Sequence, residues 1–270
     1  MSKIEEALAK AKKLRETEPG GSSRSKGVFQ KVESREVNNQ YIITMTRPDS
    51  PVSEEYRRLK SMLIRETKPD FLNTIMVTSA VEREGKSITS INLAITLAQE
   101  IDHTILLIDA DLRRPMLHEY LGIEVKNGLS DYLSRDIDIE DILVKTGIGN
   151  LILLPAGQSV DNPVELLSSQ KMKDLINEVK HRYMDRYVIV DTPPILQFAD
   201  AISIGSYVDG VVFVVKEATA QKKSIENALT LIKDLKVLGI VFNCASMENL
   251  DGHYSRYYYY NQYKKKERKE

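Results

Sequence analysis

Residues 75–92 read IMVTSAVEREGKSITSIN, an apolar run that breaks into a short turn and reopens as an amphipathic segment beginning Glu-Gly-Lys-Ser. A strand, a loop closing on Gly85-Lys86-Ser87 and a helix bearing Ile88, Ile91, Ile95 and Leu97 follow one another as in a phosphate-binding loop. In such a loop the backbone N–H groups and the helix N-terminus face phosphate oxygens. Lys86 neutralises the β/γ-phosphates and the Ser87 hydroxyl ligates Mg²⁺. The residues expected around an ATP molecule are Ser79, Ala80, Glu84, Gly85, Lys86, Ser87 and Ile88, with Asn243 at the end of the last strand. Lys86 is expected to face solvent in the empty site and to pack no core. Two features depart from the GxxxxGK[ST] pattern: its first glycine is Ala80, and Val81-Glu82-Arg83-Glu84 contains no glycine. Any left-handed residue there costs about 1–2 kcal/mol.

Two downstream segments supply what a nucleotide site needs. Thr104–Pro115 (TILLIDADLRRP) is a buried-strand pattern ending in carboxylates spaced i, i+2, which places Asp109 and Asp111 on the same side at the strand end. Tyr187–Pro194 (YVIVDTPP) brings Asp191 to the same edge. Acidic residues ending apolar strands are the expected Mg²⁺ partners of the loop hydroxyl, so Ser87, Asp191 and Asp109 are the candidate metal ligands. Arg113 and Arg114 follow the acidic pair, either to contact phosphates or to balance the carboxylates.

Strand and helix patterns alternate along the remaining chain. Apolar strands are expected at Asn150–Gly157, Tyr187–Asp191, Gly210–Val215 and Leu238–Asn243, with helices over 162–167, 168–184 and 220–235. The helix 53–66 is expected to be capped by Ser53, with Tyr56, Leu59, Met62 and Leu63 on its apolar face and Glu54, Arg57 and Lys60 on its polar face. This alternation predicts an α/β fold, a mostly parallel sheet with helices on both faces and its ligand at the carboxyl edge. With 270 residues the chain has room for one such domain plus extensions. Residues 1–50 are expected to form an amphipathic N-terminal helix, with Ile4, Ala7, Leu8, Ala11 and Leu14 at helical spacing, and a flexible linker irregular to about Arg47. Residues 51–245 form the domain and 246–270 a disordered tail. A net charge of -1 argues against general nucleic-acid affinity, so no nucleic-acid partner is expected. Apolar runs are too short to span a bilayer and no signal peptide opens the chain, so a cytoplasmic location is expected. The single cysteine, Cys244, excludes an internal disulfide and is expected to be a small buried residue.

The tail carries Tyr254, Tyr257, Tyr258, Tyr259, Tyr260 and Tyr263, six of the chain's 13 tyrosines, ahead of a KKKERKE terminus. Consecutive tyrosines beside an ATP site read as a phosphorylation substrate rather than a stacking platform.

From about Ser50 onward the chain resembles the bacterial tyrosine kinases (BY-kinases) of capsule and exopolysaccharide loci, in the cytoplasmic form encoded apart from its membrane activator. The residues that carry the resemblance are DADLRRP (109–115), VIVDTPP (188–194), LPAG (154–157), NPVELL (162–167) and the tyrosine cluster. The N-terminal helix and linker are similar to the exosortase-associated autokinase branch. The resemblance implies a P-loop NTPase fold and ATP- and Mg²⁺-dependent autophosphorylation of the tail in trans, regulating polysaccharide polymerisation and export. Lys86, Asp109 and Asp111 are the implied catalytic residues, the two aspartates orienting and deprotonating the tyrosine. It implies recruitment of the chain to the inner face of the cell membrane by a transmembrane chain-length-determinant-type activator, together with a tyrosine phosphatase and a homo-oligomeric ring. The family's E-x-x-R-x-x-R interface motif corresponds to Glu54, Arg57 and Lys60, with lysine in the last place, and its P-G-E-G-K-S loop to Glu82–Ser87 without the proline and first glycine. The alternatives are a partitioning-type ATPase switch, which would need a second lysine that is missing between Phe71 and Gly85, and a non-catalytic nucleotide-binding interaction protein.

Overall fold

Strands form where the apolar runs lie: β1 (Gln30–Lys31), β2 (Thr74–Ser79), β3 (Thr104–Asp109), β4 (Val144–Lys145), β5 (Leu151–Leu154), β6 (Arg186–Asp191), β7 (Gly210–Lys216) and β8 (Val237–Asn243). The computed structural model describes residues 30–31, 39–100, 104–181 and 186–246. These strands make one sheet in the order β1-β4-β5-β3-β6-β2-β7-β8, parallel except that β4, with β1 beside it, runs against β5. The helices are α1 (Ile43–Thr46), α2 (Pro51–Thr67), α3 (Lys86–Ala98), α4 (Leu117–Leu121), α5 (Leu129–Ser134), α6 (Ile139–Ile142), α7 (Pro163–Leu167), α8 (Gln170–His181), α9 (Asp200–Gly205) and α10 (Lys222–Leu231).

Alternation along each strand divides the core between the two faces of the sheet. Met76, Leu106, Ile108, Val190 and Phe213 pack on one side, beneath α8, α9 and α10. Ile75, Val77, Leu107, Ile189 and Val214 pack on the other with α3, which is buried from Thr89 to Ala98. This is the α/β architecture the alternation predicts, with continuous apolar strands at the centre of the sheet, where both faces are covered.

Three local expectations change. The cap of α2 is Ser50, whose Oγ accepts the Ser53 N–H at 3.1 Å, while the Ser53 hydroxyl donates to the carbonyls of Ile43 and Arg47. Pro51 fits the first helical position, so the helix starts one half-turn earlier. The segment expected to be irregular to Arg47 is ordered from Asn39: Ile42 is fully buried, and Thr44 donates its N–H and hydroxyl to Asn92 Oδ1 at 3.1 and 2.9 Å. Asn92 donates in turn to the carbonyls of Tyr41 and Ile88, so a buried amide on α3 finds all its partners only when this segment docks. Cys244 is exposed, because it lies in a left-handed turn (φ 54) just past the edge strand β8. The N-terminal helix, the Glu18–Val28 linker and the tyrosine tail lie outside the described residues.

Candidate active site

The sheet brings the motifs together by register. Val77 of β2 pairs with Asp191 of β6, and Asp191 pairs with Asp109 of β3, so the loop after β2 stands beside both carboxylates at the carboxyl edge. Lys86 begins α3, and its Nζ lies 2.7 Å from Asp111 Oδ2. That lysine side chain is 14% exposed and the aspartate 5%, so the solvent-facing lysine expected from the sequence is instead a buried ion pair. Attraction by the acidic cluster is the physical reason. Burial alone would lower the ammonium's pKa, yet the charges of Asp191, Asp111 and Asp109 raise it.

The three carboxylates differ in their partners. Asp111 Oδ1 accepts the Arg114 N–H at 3.1 Å. Asp191 accepts from Ser90 Oγ at 2.9 Å; burial raises its pKa, while Lys86 and the Ser87 and Ser90 hydroxyls hold it down. Asp109 is fully buried: Oδ2 accepts the Leu117 N–H at 3.1 Å, and Oδ1 has no partner. Burial, then the Asp191 charge, push its pKa well above the ordinary carboxylate value. An orphaned buried acceptor beside a second carboxylate and the Ser87 hydroxyl is a donor set that fits a hydrated Mg²⁺, which takes one or two carboxylates and keeps several waters. Among the described residues no three acidic, histidine or cysteine side chains form a metal cage.

The loop itself holds the left-handed residue that glycine would have supplied. Arg83 has φ 65 and an exposed side chain, in the place where the P-G-E-G-K-S pattern has glycine. Gly85 has φ 90, and a Cβ there would meet Asn243 Nδ2 at 2.1 Å, so glycine is required twice over. Glu84, expected near the nucleotide, turns inward instead. Its carboxylate accepts the N–H groups of Val81 at 2.9 Å and Lys216 at 3.3 Å, while its carbonyl accepts from Asn243 Nδ2 at 2.8 Å. Ser79 Oγ donates to the Val81 carbonyl at 2.8 Å, and Ala80 is fully buried. Ser79, Glu84 and Asn243 therefore brace the loop, whereas Lys86, Ser87 and Ile88 form the first turn of α3.

Of the two arginines, Arg113 makes a two-pronged pair with buried Asp200 at 2.7 and 3.2 Å and lies 4.3 Å over the Phe198 ring, while Arg114 pairs with Glu82 of the loop at 2.5 Å. Ser90 and Asp200 carry no motif. Ser90 is nevertheless one turn along α3 from Lys86, a spacing that puts it on the same helix face. On α2, Glu54 pairs with Arg57 at 2.7 Å, and Lys60 reaches Glu100 at 2.5 Å. The expected patch is thus held by contacts within the chain.

Comparison with known proteins adds the following. Residues 74–239 match the family model described as an AAA domain. The chain is 36% identical over 222 residues to tyrosine-protein kinase YwqD of Bacillus subtilis, covering 81% of this chain and 90% of that one. It is 32% identical over 216 residues to the putative tyrosine-protein kinase CapB of Staphylococcus aureus, covering 79% and 92%. Among solved structures, the kinase domain of Escherichia coli tyrosine kinase ETK aligns with a TM-score of 0.70 at 26% identity, covering 88% of this chain and 90% of that one.

Proposed function

Because the chain belongs to the bacterial tyrosine-protein kinases, we propose that it is an autokinase that transfers the terminal phosphoryl group of ATP to the tail tyrosines of a neighbouring subunit, Tyr254, Tyr257, Tyr258, Tyr259, Tyr260 and Tyr263. The observation that carries this reading is the meeting of Lys86, Asp111, Asp109 and Asp191 at the mouth of the loop after β2. Lys86 exchanges Asp111 for the β/γ-phosphates, and the first turn of α3 supplies N–H donors to the same oxygens. Ser87, Asp191 and the open oxygen of Asp109 would hold Mg²⁺, which would neutralise charge on the phosphoryl oxygens. Asp111, once released by Lys86, orients the tyrosine hydroxyl and accepts its proton. A phenol of pKa about 10 benefits from such an acceptor, although in a loose transition state positioning contributes more.

Residues 51–245 act as the catalytic unit, 1–50 as its lead and 246–270 as its substrate. Among the described residues no helix is long and apolar enough to cross a membrane. In this reading a transmembrane activator recruits the chain to the membrane, and a tyrosine phosphatase resets the tail. Glu54, Arg57 and Lys60 serve as a ring interface. The Glu54–Arg57 pair is 38–43% exposed, so trading it for an intersubunit partner costs about 1 kcal/mol or less.

Incubation of the purified chain with ATP and Mg²⁺, followed by intact-mass measurement, tests the reading. Mass gains in steps of one phosphate support it; an unchanged mass with ATP intact would leave a nucleotide-binding interaction protein.

A further inference from the structure

β8 ends the sheet, and its seven residues, VLGIVFN, contain no charge and no proline. Exposed edge strands ordinarily carry such residues to block pairing. Its register with β7 sets Val237 beside Val211, Ile240 beside Phe213 and Val241 beside Val214. Phe213 is fully buried beneath the helical layer, whereas Val237, Ile240 and Phe242 are 38%, 55% and 53% exposed. The layer that covers β7 therefore stops short of β8. Among the described residues an open strand edge is left beside an apolar stripe, and its upper end, Asn243, is bonded to the phosphate loop through the Glu84 carbonyl.

We propose that this edge is the docking rail for the tail segment Tyr257–Tyr263 of a neighbouring copy of this chain, which adds to the sheet as a ninth strand. The segment reads YYYYNQY, as long as β8, uncharged, and rich in a residue that favours strands. Alternation sets Tyr257, Tyr259 and Tyr263 on one face and Tyr258 and Tyr260 on the other, so either face lays aromatic rings on the stripe. The chain outside the described residues fits in length and origin. Twenty-four residues, 247–270, continue from Ser246, three positions past Asn243 at the catalytic edge. With the added strand antiparallel to β8, Tyr257 sits at the upper end, and Tyr254 extends about 10 Å further. That covers about two of the three strand spacings between the added strand and the loop-bearing β2, and the loop itself reaches across to Asn243 at the upper end of β8. The catalytic consequence rests on the kinase reading; the docking itself does not.

Hydrogen exchange of the full, nucleotide-free chain tests the docking, comparing wild type with a variant bearing serine at positions 257–260 and 263. Docking predicts that β8 amides not bonded to β7 exchange at least about tenfold slower in wild type, with β7 unchanged. Equal exchange overturns the proposal. So does protection that grows with protein concentration but survives loss of the tyrosines, since β8 would then be pairing with another β8. In a second arm, Ile240→Lys/Phe242→Lys should slow tail phosphorylation at least about tenfold while nucleotide affinity and melting temperature stay the same; measurable phosphorylation at equal rates also overturns it. Protected amides in a chain that makes no phosphotyrosine would leave the docking standing and remove the kinase reading alone.

Discussion

Replacing Lys86 by methionine tests how the acidic cluster is held together. The variant keeps most of the apolar stem but removes the cation 2.7 Å from Asp111, leaving three carboxylates, all 0–3% exposed, facing one another. Breaking a buried pair in this way costs about 3–5 kcal/mol. One of the carboxylates can instead take up a proton, and for an aspartate of ordinary pKa that costs about 4 kcal/mol at pH 7 and about 1.4 less per unit of acidification. The expected loss is therefore about 3–4 kcal/mol at pH 7 and about 1–1.5 at pH 5. At about 2–4 °C per kcal/mol, the melting temperature should fall by roughly 6–16 °C at pH 7 and roughly 2–6 °C at pH 5. The sign follows from the shifts. Lys86 has a raised pKa, so its contribution is complete below the ordinary lysine value and is lost only as pH rises through the raised one. The lysine stays charged across the assay range, and the pH dependence comes from the carboxylates. Thermal unfolding of nucleotide-free protein, read by circular dichroism, supplies the numbers, and Asp111→Asn added to Lys86→Met should recover much of the loss. A Lys86→Met protein within 2 °C of wild type at both pH values would refute the reasoning, and the buried pair would then carry no stability.

Four further outcomes are expected. Arg83→Gly removes about 1–2 kcal/mol of left-handed strain from an exposed residue and adds about 0.4–1 kcal/mol of unfolded-chain entropy. The melting temperature should then rise by up to about 6 °C; a lower one would mean that the arginine side chain itself helps hold the loop. Asp109 has a raised pKa, so the stability it contributes is complete below the ordinary carboxylate value and is lost as pH rises through the raised one. Asp109→Asn should accordingly raise the melting temperature at pH 8 and lower phosphoryl transfer; a lower melting temperature there would contradict the assignment of burial as the cause. Asp191→Asn should raise the Mg²⁺ concentration needed for activity, and an unchanged titration would remove it from the metal site. Each phosphate adds about −1.5 to −2 charges to the tail, so light scattering should find an assembly for the unphosphorylated protein and monomer for the phosphorylated one, whereas equal masses would count against the ring.

The fold was legible because each buried strand is an unbroken apolar run ending at a turn, and a sheet covered on both faces needs nothing else. The carboxylates were legible because strand ends are set by that same pattern. What the sequence did not reveal depends on contacts between distant segments. The docking of Asn39–Arg47 rests on the burial of Ile42 and on a buried amide, Asn92, which lies some fifty positions away. Glu84 reads as a polar loop residue, and only the approach of β7 and β8 turns it into a brace. Lys86 reads as exposed because charge on a loop ordinarily is; the three carboxylates that draw it inward come from two other strands.

The destination of the terminal phosphate of ATP separates a tyrosine kinase from an ATPase switch. Wild-type chain incubated with Mg²⁺ and ATP should be digested and its phosphate located by fragmentation mass spectrometry, with free phosphate measured in the same sample. The account predicts phosphotyrosine among Tyr254–Tyr263, with ATP consumption matching the phosphate found there and little released to water. ATP consumed with free phosphate as the product and no phosphotyrosine in the tail would contradict it, and would make the site that of an ATPase switch.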